Sequence, residues 1–215
     1  MIRKEIAIKH SVALAVYLFV VWGFYRLLSK LPDDIEDLVI KPIFWLLPVF
    51  YLVRKERLGI SSLGITFKNF FPSIYISLAL GVFLAIVGLM VNYIKYGGIN
   101  FIHSVGPTSF NKLLLLSFAV AFSEEITFRG YIFNRVWMAI KNEWIANVCV
   151  SLVWALVHLP VSIFWWKLDL AGVLGVLFLM FLFGVGSSYV FARTKNVFSS
   201  IFLHVFWGLP IILFR

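Results

Sequence analysis

Lys112-Leu-Leu-Leu-Leu-Ser-Phe-Ala-Val-Ala-Phe-Ser-Glu124-Glu125-Ile-Thr-Phe-Arg129-Gly-Tyr-Ile-Phe-Asn134 is an apolar run with three ionisable residues near its middle. Its length suits a helix crossing a hydrocarbon core of about 30 Å. Each ionisable side chain at mid-bilayer costs about 2.5–3.5 kcal/mol even on the lenient insertion scale. Glu124, Glu125 and Arg129 therefore have to face a protein interior or a wet cavity and compensate one another. A single anchor helix offers neither, so the run implies a bundle of several spans. Glu125 and Arg129 stand four apart, with the glutamate N-terminal, and meet on one helical face. Glu124 points about 100° away, which leaves it without that local partner and free for chemistry.

The rest of the chain agrees. Of its 215 residues, 62% are hydrophobic, and the mean hydropathy is +0.97. A soluble domain of this size would need far more polar surface. Seven candidate spans follow, roughly His10–Leu28, Lys41–Val53, Pro72–Ile94, Lys112–Asn134, Trp144–Pro160, Leu170–Ala192 and Val197–Phe214. The second is the weakest, short and interrupted by Pro42 and Pro48, and reads as kinked or re-entrant. Ile99–Phe110 and Val161–Trp166 read as interfacial connectors. With no internal repeat and no linker, the expected fold is an all-α polytopic bundle. It forms one transmembrane domain over 1–215 with a catalytic core in about 110–210.

The formal charge of +9 sits in the breaks between apolar runs, so membrane topology and anionic lipid explain it better than nucleic acid does. With the N-terminus in the cytoplasm, eleven Lys and Arg residues fall on that side, among them Arg3, Lys55, Arg135 and Arg193. The other side holds six, including Lys30, Lys41, Lys112 and Arg215, or seven with Arg26. The basic start followed by an apolar stretch has no small-residue cleavage site, so it reads as a retained first span. Cys149 is the single cysteine; it allows no intrachain disulfide and reads as a small buried apolar side chain. His10 and His103 read as solvated edge residues.

Two more spans carry histidine to the depth of the carboxylates. At about 1.5 Å per residue from the cytoplasmic ends, Glu124 lies about 16 Å up, His158 about 21 Å and His204 about 10 Å. Long side chains at those depths can converge. Such a cluster fits hydrolysis, and buried Glu, His and Arg also build proton relays in transporters.

These residues resemble the CPBP family, the CAAX-protease and bacteriocin-processing intramembrane peptidases. The Glu-Glu-x-x-x-Arg signature stands as Glu124, Glu125 and Arg129, and the Phe-x-x-x-His motif as Trp154 and His158, with tryptophan for phenylalanine. A glycine-rich helix from Gly184, a basic turn and His204 complete the order. The chain departs from the pattern at Gly208, where the family commonly has an asparagine that helps hold the oxyanion; Trp207 and Ser200 are the candidate replacement donors.

The resemblance implies an intramembrane endopeptidase acting on a membrane-associated peptide or protein. Glu124, helped by His158, would polarise water; Glu125 tied to Arg129 would orient the site; His204 would donate to the oxyanion. It favours a metal-free glutamic mechanism without cofactor over zinc held by Glu124, His158 and His204. Ser187 and Ser188 read as small packing residues. Rival readings are an inactive scaffold or immunity protein of the same fold, favoured by Gly208, and a proton-coupled transporter.

Overall fold

The computed structural model describes residues 2–29, 31–98 and 110–213. Nearly all of the connector expected over 99–110, with His103, and Lys30 and Arg215 of the charge count lie outside them. Among the described residues, seven long helices stand where seven apolar runs were read. They are α1 (4–28), α2 (33–55), α3 (Phe70–Tyr96), α4 (110–140), α5 (Glu143–Trp165), α6 (Leu170–Thr194) and α7 (Val197–Leu213). No strand occurs among the described residues. Four segments are long and apolar enough to cross a membrane: Lys4–Tyr25, Phe70–Ile94, Glu143–Trp165 and Leu170–Thr194. Helices α2, α4 and α7 complete the all-α membrane bundle without meeting that criterion. Each is short or carries the charges the site uses.

The outer surface is apolar, as a lipid-facing surface has to be. Val12, Val16 and Val20 on α1, Tyr75, Leu78, Val82 and Ile86 on α3, and Leu170, Leu174 and Phe178 on α6 are all exposed. Cys149 belongs to this surface and is exposed, contrary to the buried position expected for it. Polar residues gather inside instead: Ser123, Glu125, Thr127, Arg129, Asn147, Ser151, Ser187 and Ser200 are fully buried.

Helix α7 packs along α3 and α4, α5 along α6, and α1 against the last turns of α4. The α5–α6 contact is close because Gly184 faces Ser151. A Cβ on Gly184 would lie 2.9 Å from the serine Cβ, so only glycine lets the two backbones approach this far. Asn142 caps α5 by accepting from the Ile145 N–H at 3.0 Å. Asp169 caps α6 through the Gly172 N–H at 2.9 Å. In the α6–α7 turn the Asn196 side chain donates to the Thr66 and Lys68 carbonyls and accepts from the Phe198 N–H. That one residue ties the turn to the loop before α3.

The second apolar run, read as kinked or re-entrant, is a continuous helix: Pro42 sits in the first turn of its α-helical part, where an N–H is spare, and Pro48 is accommodated inside. Val161–Trp166 is no separate connector, because Val161–Trp165 continues α5 as a π-helical turn. His10 is also not solvated. Its Nδ1 lies 3.0 Å from Glu56 Oε1, and Glu56 further accepts from Tyr131 Oη and, at 2.9 Å, from Arg135 Nε. This buried cluster joins α1, the end of α2 and α4 at the end of the bundle that carries the N-terminus.

Candidate active site

Helix α4 changes character after its paired carboxylates. Phe110–Glu125 is α-helical, and Ile126–Phe133 widens to π-helical bonding with all eight residues buried. Such widened turns recur at functional sites. Within this segment Arg129 Nη1 lies 3.2 Å from Glu125 Oε1 and 3.1 Å from Oε2, the i,i+4 pair expected. The rest of Glu125's environment comes from other helices. Ser187 Oγ donates to Oε2 at 2.7 Å from α6, and His204 Nδ1 lies 2.8 Å from Oε1 on α7. Arg129 Nη2 reaches the Gly184 carbonyl at 3.3 Å, and its guanidinium centres 4.8 Å from the Trp154 ring. Glu125 is therefore fully enclosed and holds α4, α6 and α7 together.

Glu124 is different, and not as expected. It has a partner from α2: Lys41 Nζ lies 2.5 Å from Glu124 Oε1. Trp154 Nε1 donates to Oε2 at 3.1 Å, so the tryptophan in place of phenylalanine supplies a hydrogen bond that phenylalanine cannot make. The Lys41 ammonium lies 5.6 Å from the Trp22 ring and 5.4 Å from Trp45, an aromatic flank that suits a desolvated cation. Just outside the span, Lys112 pairs with Asp34 at 2.9 Å. Its hydrogen bond and charge hold the Asp34 carboxyl below the usual carboxylate range.

The histidines complete the set. His158 Nδ1 lies 2.9 Å from the Trp154 carbonyl oxygen. Both histidine Nδ1 partners, a carbonyl and a carboxylate, can only accept, so each Nδ1 carries a proton, and in the neutral form Nε2 is the acceptor. Glu124, His158 and His204 line one cavity of about 450 Å³, together with Trp22, Lys41 and Gly208. Its lining comes from the end of α1, the first halves of α2 and α4, the end of α5, Met180 of α6 and the second half of α7, so it sits in the half of the bundle away from the N-terminus. Gly208 leaves it roomy: a Cβ there would meet nothing within 4 Å.

All five predicted site residues are thus brought together, Glu124, His158 and His204 at the cavity and Glu125 and Arg129 behind them. The candidate donors Ser200 and Trp207 are not among the lining residues. Ser200 gives its hydroxyl to the Ser187 carbonyl at 2.9 Å, and Trp207 stacks on Phe183 at 6.0 Å. Ser187 is more than a packing residue, since it bonds Glu125. Lys41 was visible only as a basic residue at the edge of a doubtful span, and nothing in its spacing linked it to Glu124.

Two features bear on the zinc alternative: Lys41 occupies one Glu124 oxygen, while both histidines hold Nδ1 on a carbonyl or a carboxylate and leave Nε2 open, the orientation a metal-ligating histidine has. No group of three His, Cys, Asp or Glu residues among the described ones is arranged to hold a metal ion.

Residues 106–209 match the family model described as Type II CAAX prenyl endopeptidase Rce1-like. No curated protein and no solved structure matches. The segment matched holds all five predicted site residues but not Lys41, Trp22 or Trp45 of the cavity wall, and it bears out the resemblance read from the motifs.

Proposed function

We propose that this chain, whose residues 106–209 belong to the CAAX-type protease family, is an intramembrane endopeptidase that hydrolyses a peptide bond with water activated by Glu124. The family is one of membrane proteases acting on membrane-associated substrates. What carries the finer reading is the shared cavity. It brings a carboxylate, Glu124, and a histidine whose Nε2 is free to accept, His158, to one space large enough for an extended peptide backbone. A water between them would meet two acceptors, the arrangement a general base requires. Glu125, paired with Arg129 and locked by Ser187 and His204, supports the site from behind the cavity. The mechanism favoured is metal-free, because the charge beside Glu124 is already balanced by Lys41.

The cavity lies in the half of the bundle away from the N-terminus, the end with fewer Lys and Arg residues. By the positive-inside rule the N-terminus lies in the cytoplasm and the substrate is met from the opposite face.

The deciding experiment is mass spectrometry of prenylated CAAX-type peptides and of peptides with hydrophobic C-terminal tags, each incubated in proteoliposomes with wild type and with Glu124→Gln. Cleavage by wild type alone supports the reading, and equal product from both ends it. An inactive scaffold is the second reading, favoured by Gly208, and it predicts no product from either protein with biological activity retained in Glu124→Gln.

A further inference from the structure

Counted with neutral histidines, the reacting groups of the cavity are richer in acceptors than in donors. In their neutral forms His158 and His204 both spend Nδ1–H outside the cavity, on the Trp154 carbonyl and on Glu125. Their Nε2 atoms can accept and cannot donate. Gly208 offers no side chain, and the Ser200 hydroxyl is spent on the Ser187 carbonyl. Yet hydrolysis places a full negative charge on the former carbonyl oxygen, and each aimed donor there is worth about 10²–10³ in rate. Among the described lining residues the Trp45 indole N–H is a neutral donor without a partner, and the Lys41 ammonium is the one lysine or arginine, with three N–H bonds and one of them aimed at Glu124 at 2.5 Å.

We propose that Lys41 is a catalytic residue of this protein, the cation that holds first the Glu124 carboxylate and then the tetrahedral oxyanion. The assignment rests on the peptidase reading. Water attacks the scissile carbonyl carbon and a C–O bond forms. The water proton passes to Glu124, and the carbonyl π electrons move to oxygen. Negative charge leaves the carboxylate as it appears on the substrate, so the net charge of the cavity is unchanged. Lys41 stays an ammonium throughout and follows the charge from one oxygen to the other. Glu124 then returns the proton to the departing amine as the C–N bond breaks. Helix α2 supplies the placement: Lys41 opens its α-helical part with the ammonium near the Trp22 and Trp45 rings, so it is held at the cavity wall.

The test separates charge stabilisation from mere packing. Two uncleavable versions of a prenylated CAAX-type peptide are compared, one with an anionic phosphinate at the scissile position and one with a neutral hydroxyethylene. Wild type binds the phosphinate about tenfold or more tighter, and Lys41→Met removes that preference while leaving hydroxyethylene binding in place. Lys41→Met also lowers kcat by about 10²-fold with little change in KM. Adding Gly208→Asn to it restores part of kcat. Lys41→Gln, a neutral donor of similar length, reads the same ratio should the methionine variant fail to fold. An unchanged phosphinate preference, equal loss of both ligands, or faster cleavage by Lys41→Met overturns the proposal, the last because it would make the ion pair an inhibitory latch. Glu124→Gln is assayed alongside: product from that variant equal to wild type removes the peptidase reading, whatever the ligands say of Lys41.

Discussion

His204 on α7 and Glu125 on α4 meet at 2.8 Å, Nδ1 to Oε1, in an enclosed network that also takes in Arg129 and Ser187. Glu125 is fully buried, and so is Arg129. The two carboxylates of the motif thus do separate work, and their glutamine variants should separate as well. Glu125→Gln leaves a buried guanidinium without its counter-charge, at a cost of about 3–5 kcal/mol. The expected outcome is a large drop in thermal unfolding temperature in detergent. Glu124→Gln unpairs the Lys41 ammonium as well, but that cation lines the open cavity where water can reach it, so the unfolding temperature should fall less than in Glu125→Gln while cleavage is lost.

Trp154 offers a milder probe. Its indole N–H donates to Glu124 at 3.1 Å, while its ring faces Arg129 at 4.8 Å. Trp154→Phe keeps an aromatic face for the guanidinium and deletes the hydrogen bond to a charged acceptor, worth about 1.5–3 kcal/mol. Cleavage should fall by about one to two orders of magnitude while the unfolding temperature moves little. A variant as active as wild type would show that the indole N–H does not help position Glu124.

The apolar runs made the fold legible, since a membrane leaves few ways to satisfy a backbone. Glu125–Arg129 was legible for a local reason, the helical spacing of four. The motif order then brought in His158 and His204. Lys41 was not legible, because its partner is 83 positions away and no local pattern spans that distance. Pro42 and Pro48 also made its helix look broken. His10 failed for the same reason: its partner Glu56 lies 46 positions on. Cys149 was misjudged because an apolar run does not say which face meets lipid and which meets protein.

The Glu56 cluster gives a prediction away from the chemistry. Glu56 accepts from His10, Tyr131 and Arg135, and Arg135 also bonds the Ser62 carbonyl at 3.2 Å and its hydroxyl at 3.0 Å. None of these residues lines the main cavity. Glu56→Gln unpairs a nearly fully buried arginine, with a stability loss of about 3–5 kcal/mol. The fraction that remains folded should cleave with unchanged kcat. Active-site titration of the folded fraction checks this, and a lowered kcat per folded molecule would instead couple the two ends of α4.

Gly208→Asn is the variant expected to gain. A glycine inside a helix costs about 0.5–1 kcal/mol relative to alanine, so filling the position removes an entropic penalty. The space is there, since a Cβ would meet nothing within 4 Å and the position already lines the cavity. An asparagine amide, one turn beyond His204, would add the N–H donors that the neutral histidines do not offer. The new side chain should leave the unfolding temperature equal or higher and raise kcat by about tenfold, less than the full value of an oxyanion donor because Lys41 already supplies one. Steady-state cleavage of the same peptide by the two proteins decides the matter. If kcat falls while the fold is kept, the open space at Gly208 is where substrate sits, and the missing asparagine reflects substrate shape and not a lost donor.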